Sequence, residues 1–453
     1  MRNLDPASDV VPEVVIPPSA AGPPEVAGDT AQPAWDETDG RDVSLLQAVF
    51  DSLDATGCSW VILRGDESSV NRGGDIDLLI QEDSVGTMHA ALAPLGFAEV
   101  PSAGQGSHRF LLGYDQDTLS WIRLDFTTKI DFGIRQELKT STAADLLARR
   151  RRVRGENRLY PDDAFWHFFL HRILGRRQLD SEVLAELAQA ARPEGPLAQL
   201  VDEAEVAGAS SVELLDFVRY RQWERLDALR PAFVRAWRTT RGADPVVART
   251  TNALNRVVHA PGALIRPTGI SVTIIGPDGA GKTTLAEGLR ETLPLPARYV
   301  YMGVWREHRW DRTARFIPGL RLGMRLARLL TRSAEASFHR VRGRIVLLDR
   351  FTYDVLLPSA NLDNRGRITA ALVRRVCPEP DLVIVLNAPA DVMFARKGEH
   401  GVDELELRRL SYLEVARTRD HSVIIDATKP IEAVRAEAQR AVWARLRERW
   451  AGR

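Results

Sequence analysis

Gly276-Pro277-Asp278-Gly279-Ala280-Gly281-Lys282-Thr283-Thr284 is the stretch on which the fold of this chain turns. It follows the pattern G-x-x-x-x-G-K-[ST], a glycine-rich turn whose backbone N–H groups can close around a polyphosphate. An apolar, β-branched run, Ser271-Val272-Thr273-Ile274-Ile275, leads in, and a helical run, Thr284-Leu285-Ala286-Glu287-Gly288-Leu289-Arg290, leads out. Strand, loop and helix in that order bring the positive end of a helix to the phosphates. Lys282 then reaches the β/γ-phosphates and Thr283 can hold Mg²⁺. Gly276, Asp278, Gly279, Ala280, Gly281, Lys282, Thr283 and Thr284 are the expected nucleotide-binding residues. An ordinary glycine-rich turn is the alternative reading of the same residues.

Around this loop, residues 269–453 alternate strand and helix. Strands are expected at 271–275, 298–302, 344–348, 382–387 and 422–426, with a last helix from Ile431 to Trp450. Short apolar strands separated by helices predict an α/β fold, a parallel sheet with helices on both faces. After the strand Arg344-Ile345-Val346-Leu347-Leu348 comes Asp349-Arg350-Phe351. An acid at the carboxyl end of a parallel strand faces the ligand crevice, so Asp349 can orient Mg²⁺ or an acceptor. Arg350 can grip a phosphate with a bidentate fork, or the two form a structural ion pair. Beyond the fourth strand, Ala395-Arg396-Lys397-Gly398-Glu399-His400-Gly401 reads as a basic segment that closes over the transferring group, with Arg396 the better phosphate ligand. A solvated helix face is the alternative.

Taken together, these residues resemble the thymidylate kinase family. The phosphate loop with its internal acid Asp278, Asp349-Arg350-Phe351, Arg396, Tyr412 and the strand Val423-Ile424-Ile425-Asp426-Ala427 all have counterparts there. The resemblance covers 269–453 and implies a five-stranded nucleoside monophosphate kinase fold that uses ATP and Mg²⁺. It also implies a small-molecule phosphate acceptor. The family's Arg-Glu-Pro-Gly segment is replaced by Met302-Gly303-Val304-Trp305-Arg306-Glu307-His308-Arg309-Trp310, which leaves the acceptor open. Residues 304–343 then hold ten arginines against three acids, interleaved with apolar side chains. That pattern suits an amphipathic helix packed on its neighbour, a phosphorylated or lipid-linked acceptor, or peripheral contact with an anionic membrane. A homodimer is compatible with the sequence.

Composition bounds the rest. The 453 residues suffice for two or three domains, and 61 basic residues balance 61 acidic ones, so there is no strong nucleic-acid signal. The two cysteines, Cys58 and Cys377, allow no disulfide framework and suit a cytoplasmic protein; no signal peptide or membrane span is evident. Residues 1–40 read as a disordered, proline-rich acidic tail. An α+β unit is expected over 41–138, a helical stretch over 139–258 and a linker at 259–268, with no internal repeat. The helical stretch includes helices from Ala143 to Arg152 and from Val212 to Leu229.

Within the α+β unit, Gly73-Gly74-Asp75-Ile76-Asp77-Leu78-Leu79-Ile80 places two carboxylates on one face of a strand. Asp125, at the end of Ser120-Trp121-Ile122-Arg123-Leu124, is a third. Three converging carboxylates suit two-metal nucleotidyl transfer, with Asp75 and Asp77 as metal ligands. This region resembles the nucleotidyltransferase fold, although Gly65-Asp66 stands where that fold has Gly-Ser. An active transferase and a degenerate scaffold or binding module are both open. His167 and His171, four apart without an intervening Glu, read as ordinary core or surface histidines rather than a zinc site. The favoured function is an ATP-dependent kinase of a nucleoside monophosphate or similar phosphate. Nucleotidyl transfer through Asp75, Asp77 and Asp125, or a nucleotide-gated regulatory protein, are the alternatives.

Overall fold

β-Branched and apolar runs build two sheets, and each alternates its side chains between two cores. The computed structural model describes residues 44–65, 74–101, 108–133, 138–175, 177–204, 208–241, 267–302, 320–349, 377, 379–398 and 400–451. The expected tail (1–40) and most of the expected linker (259–268) lie outside these residues.

The first sheet has seven strands. In chain order, the elements are α1 (Leu45–Ala55), β1 (Trp60–Arg64), β2 (Asp75–Ile80), α2 (Val85–Leu92), β3 (Ala98–Glu99), β4 (Arg109–Asp115) and β5 (Ser120–Thr127). A small hairpin of β6 (Asp131–Phe132) and β7 (Leu138–Lys139) precedes α3 (Ala143–Arg149), followed by β8 (Arg151–Val153) and β9 (Glu156–Arg158). The order across the sheet is β3-β4-β5-β2-β1-β9-β8. Strands β2 and β5 run parallel, with Asp77 beside Asp125 and Asp75 beside Arg123. Alternation along β1 and β2 sends Trp60, Ile62, Leu78 and Ile80 to a core under α1 and α2, and Val61 and Leu79 to the opposite side.

That opposite side is covered by α4 (Pro161–Leu174), α5 (Glu182–Ala190), α6 (Pro196–Glu203), α7 (Ser211–Arg219) and α8 (Trp223–Arg241). Two details differ from the periodicity of the sequence. The helix begun at Ala143 ends at Arg149, and the next residues form the β8–β9 hairpin. Arg154 (φ 50°) and Gly155 (φ 85°) supply the two left-handed positions of its tight turn. The long helix expected from Val212 is broken into α7 and α8 by Arg221 at φ 54°. Arg221 also makes an exposed bidentate pair with Glu182, both bonds 2.7 Å.

The second sheet is all parallel. Its strands are β10 (Ser271–Ile275), β11 (Ala297–Tyr301), β12 (Ile345–Asp349), β13 (Leu382–Asn387) and β14 (Ser422–Asp426), in the order β11-β12-β10-β13-β14. Helices α9 (Lys282–Thr292), α11 (Ala390–Lys397) and α13 (Ile431–Ala451) cover one face; α10 (Leu320–Val341) and α12 (Val402–Arg417) cover the other. The central strands split their side chains accordingly: in β12, Ile345 and Leu347 go one way, Val346 and Leu348 the other. This is the α/β parallel sheet expected for residues 269–453.

The core under α9 and α13 extends beyond this sheet. Leu112 and Tyr114 of β4 belong to it, and Trp121 of β5 packs against it. Trp121 meets Trp443 edge-on at 5.6 Å, and the Trp443 indole N–H donates to Gly96 O at 3.1 Å. Tyr114 Oη lies 3.0 Å from Gln439 Oε1, and Gln439 Nε2 donates to Thr292 Oγ1 at 2.7 Å, at the end of α9. Arg123 Nη2 donates to Pro294 O at 2.8 Å. The two sheets are thus joined by continuous apolar packing.

At the amino ends of β10 and β13, Asp381 receives the backbone N–H and hydroxyl of Ser271 at 2.7 and 2.9 Å, together with Arg340 at 3.0 Å and Arg449. It pins the sheet at the end opposite the phosphate loop.

Candidate functional site

The phosphate loop occupies the carboxyl end of β10, where strand order reverses between β12 and β13. Such a switch point opens a crevice in a parallel sheet. Two glycines are required by close packing there. A Cβ on Gly279 (φ 87°) would meet Met393 O at 2.5 Å, and one on Gly276 (φ 151°) would meet Leu386 O at 2.8 Å. The loop closes on itself through Lys282, whose ammonium donates to Gly276 O and Pro277 O, both at 2.8 Å. Gly281 (φ 93°) caps α9 and leaves its first N–H groups facing the loop.

A cavity of about 330 Å³ opens on these groups, lined by Asp278, Gly279, Gly281, Lys282, Thr283, Thr284, Arg396 and Lys397. Ala280 is buried beneath. The last turn of α11 therefore brings two cations, Arg396 and Lys397, to the helix N-terminus that would bind phosphates. Arg396 is steadied by a 3.0 Å bond from Nη2 to Ala427 O. The cradle fits a polyphosphate: it offers backbone donors, a helix dipole, three basic side chains and a hydroxyl at Thr283 for Mg²⁺.

Asp349 ends β12, with its backbone beside Ile274 of β10 and Tyr301 of β11. Arg350 and the arginines between 306 and 315 lie outside the described residues. Helix α10, the described part of the arginine-rich stretch, packs on the sheet through Leu329 and Ala336 and exposes Leu330 and Phe338. No helix among the described residues is long and apolar enough to cross a membrane. Cys58 and Cys377 are buried free thiols, and Tyr412 is buried in the core between α12 and the sheet.

In the first sheet, Asp77 and Asp125 are cross-strand neighbours, and each already has a basic partner. Arg64 pairs with Asp77 at 2.7 Å, and His108 Nδ1 lies 2.8 and 3.0 Å from the Asp125 oxygens. Arg123 approaches Asp75 Oδ1 at 3.5 Å without a hydrogen bond. Oδ1 of Asp77 is also buried without a hydrogen-bond partner. Among the described residues, no group of three or more His, Cys, Asp and Glu side chains is arranged to hold a metal ion. The donor set as it stands is therefore a poor fit for two metals.

Burial pushes the Asp77 carboxyl up to about 6; Arg64 opposes the shift and Asp125 adds to it. Burial alone would depress His108, but its hydrogen bond to Asp125 and the charges of Asp125, Asp77 and Asp131 together outweigh that and raise it. Burial drops His167 to about 3 and His171 to about 4, so both are neutral at pH 7. They stack at 6.5 Å, and Phe132 lies against His167.

The Asp77 shift carries a stability prediction. The folded state binds the proton more tightly than the unfolded chain, whose carboxyl titrates near 3.8. Ionised Asp77 therefore costs stability above pH 6, and the cost disappears as pH falls towards 4. Asp77→Asn is expected to stabilise the protein by about 1–2 kcal/mol at pH 7.5 and by little at pH 4.5. Chemical denaturation at the two pH values reads this difference directly, and an equal effect at both would contradict it.

No protein-family model matches the chain. Several curated thymidylate kinases do. The enzyme of Thermosipho africanus is 30% identical over 115 residues, 23% of this chain and 57% of that protein. The enzyme of Oenococcus oeni is 27% identical over 203 residues, covering 38% of this chain and 93% of that protein. A probable thymidylate kinase of Archaeoglobus fulgidus is 24% identical over 185 residues, again 38% of this chain and 93% of that protein. The likeness falls on the C-terminal part, which is thymidylate kinase-like in fold. The matched enzymes support a kinase acting on a small phosphorylated molecule.

Lys397, ranked below Arg396 from the sequence, enters the cavity beside it. Sequence reasoning did not single out Arg408, through which α12 reaches the loop, 3.5 Å from Asp278. The spacing of Glu404, Arg408 and Arg409 shows a charged helix face but gives no hint of which cation turns inward.

Proposed function

We propose that this protein is an ATP-dependent phosphotransferase that moves the γ-phosphoryl group to a nucleoside monophosphate or a similar small phosphorylated acceptor. The observation that carries this reading is the cavity in which loop amides, Lys282, Arg396 and Lys397 converge at the N-terminus of α9. In such transfers the transition state is loose and its charge is spread over equatorial oxygens, so catalysis is positioning plus charge stabilisation. The loop amides and Lys282 hold the β- and γ-phosphates. Thr283 and Asp349 would hold Mg²⁺, which would neutralise the charge that develops on the transferring phosphoryl group. Arg350 is assigned to the acceptor phosphate, and Arg396 approaches the moving group from α11. The acceptor oxygen forms the new bond, and ADP leaves.

A second reading has one observation in its favour: the side-by-side placement of Asp77 and Asp125 on parallel strands, near Asp75. It makes the first sheet a nucleotidyltransferase-like unit. Its cost is that Arg64 and His108 already hold two of the carboxylates a metal would need.

One experiment separates the two. The full chain is incubated with Mg²⁺ and either γ- or α-labelled ATP, together with a panel of nucleoside monophosphates that includes thymidylate. Label passing from the γ position to an acceptor is the expected result and names the acceptor. Label passing only from the α position would move the chemistry to Asp75, Asp77 and Asp125 and overturn the kinase.

A further inference from the structure

A cluster of charged side chains outside the roles assigned above reaches into the phosphate loop from α12. Arg408 Nη1 lies 3.5 Å from Asp278 Oδ2 and 3.1 Å from His400 Nε2. Its Nη2 donates to Glu404, one turn earlier, at 2.7 Å. His400 Nε2 stands 3.4 Å from the same Asp278 oxygen, and Lys282 Nζ is 3.6 Å from the other. Three basic side chains thus surround the one acid of the loop, whose side chain is 17% exposed.

An ionised carboxylate inside a phosphate cradle repels the polyphosphate, and partial burial weakens the solvent screening between them. Fixed cations must supply that screening. Lys282 is committed to the phosphates, and His400 is a cation only when protonated. Arg408 is always charged, and Glu404 holds its guanidinium in place.

We propose that Arg408 is a positioning residue of the phosphate site: it cancels the charge of Asp278 and docks α12 on the loop. Nucleotide affinity then depends on Arg408 only while residue 278 is acidic. This assignment rests on the reading of the loop as an ATP site.

The test is calorimetric binding of a non-hydrolysable ATP analogue with Mg²⁺ to the full chain. The proteins compared are wild type, Arg408→Met, Arg408→Lys, Asp278→Asn and the Arg408→Met/Asp278→Asn pair. Arg408→Met is expected to raise Kd about tenfold, the scale of a lost partly buried charge pair. Adding Asp278→Asn to it is expected to restore Kd to within about threefold of wild type, because the uncompensated charge is gone. Arg408→Lys, which keeps the charge, is expected to stay within about threefold.

A double variant as weak as Arg408→Met, or an Arg408→Met that binds like wild type, overturns the assignment while leaving the ATP site standing. A loss in Arg408→Lys equal to that in Arg408→Met would assign the effect to packing of α12 and overturns it too. A wild-type chain that binds no nucleotide overturns the ATP reading and this assignment together.

Discussion

Lys282→Ala is expected to lower kcat/KM for γ-phosphoryl transfer by about 10²–10³-fold, the scale for removing one preorganised charge from a transition state. The ammonium is held at the loop mouth by Gly276 O and Pro277 O at 2.8 Å, so it meets an incoming phosphate already oriented. Charge builds on the bridging and equatorial oxygens as the bond to ADP breaks, so the loss should fall mainly on kcat. The fold should be little affected, because the side chain lines the cavity and belongs to none of the apolar cores. Steady-state kinetics on the acceptor identified with labelled ATP, alongside a denaturation curve, checks both halves. A variant that keeps more than about a tenth of wild-type activity would remove Lys282 from the reaction.

Trp443→Ala is expected to destabilise the protein by about 3–5 kcal/mol, the usual range for emptying a buried aromatic site. Trp443 is 5% exposed, meets Trp121 edge-on at 5.6 Å and donates to Gly96 O at 3.1 Å. Trp121 belongs to β5 of the first sheet and Gly96 to the turn before β3, although Trp443 itself belongs to α13 of the second. The loss should therefore appear in both. Amide exchange along β4 is expected to quicken together with exchange along α13, because Leu112 and Tyr114 share that core. Exchange that quickens in α13 alone would mean that the two sheets open independently. For the same reason, residues 267–453 produced alone would expose the apolar surface now covered by Leu112, Tyr114 and Trp121.

The strands of the parallel sheet, and β2 of the first sheet, could be read from the sequence because side-chain alternation and loop chemistry are local, whereas the β8–β9 hairpin begins inside a stretch that reads as helix. The run 271–275 and its glycine-rich turn fall where the pattern puts them, as do 382–387 and 422–426. What stayed hidden depends on distant partners. Asp381 reads as one more loop acid until Ser271, 110 residues away, and Arg340 and Arg449 close on it. Arg221 breaks a continuous helical pattern at a left-handed backbone position and pairs with Glu182, a contact no periodicity contains. Tyr114 and Trp121 look like ordinary strand aromatics, because nothing nearby in the chain marks the side of the sheet that α13 will cover. At the candidate site, the loop announces itself by its glycines. Arg396 of α11 is marked by its basic segment, whereas Arg408 of α12 lies on a charged face whose inward side emerges only when the helix packs.

The join between the two sheets also has a history during synthesis. Tyr114 and Gln439 are separated by 325 residues, so the ribosome finishes β4 long before α13 exists. At about 5–20 residues per second that interval is about 20–60 s. Through it, the nascent first sheet carries Leu112, Tyr114 and Trp121 with their final covering still unmade. This is the surface that a chaperone would shield, and the arrival of α13 is what relieves it.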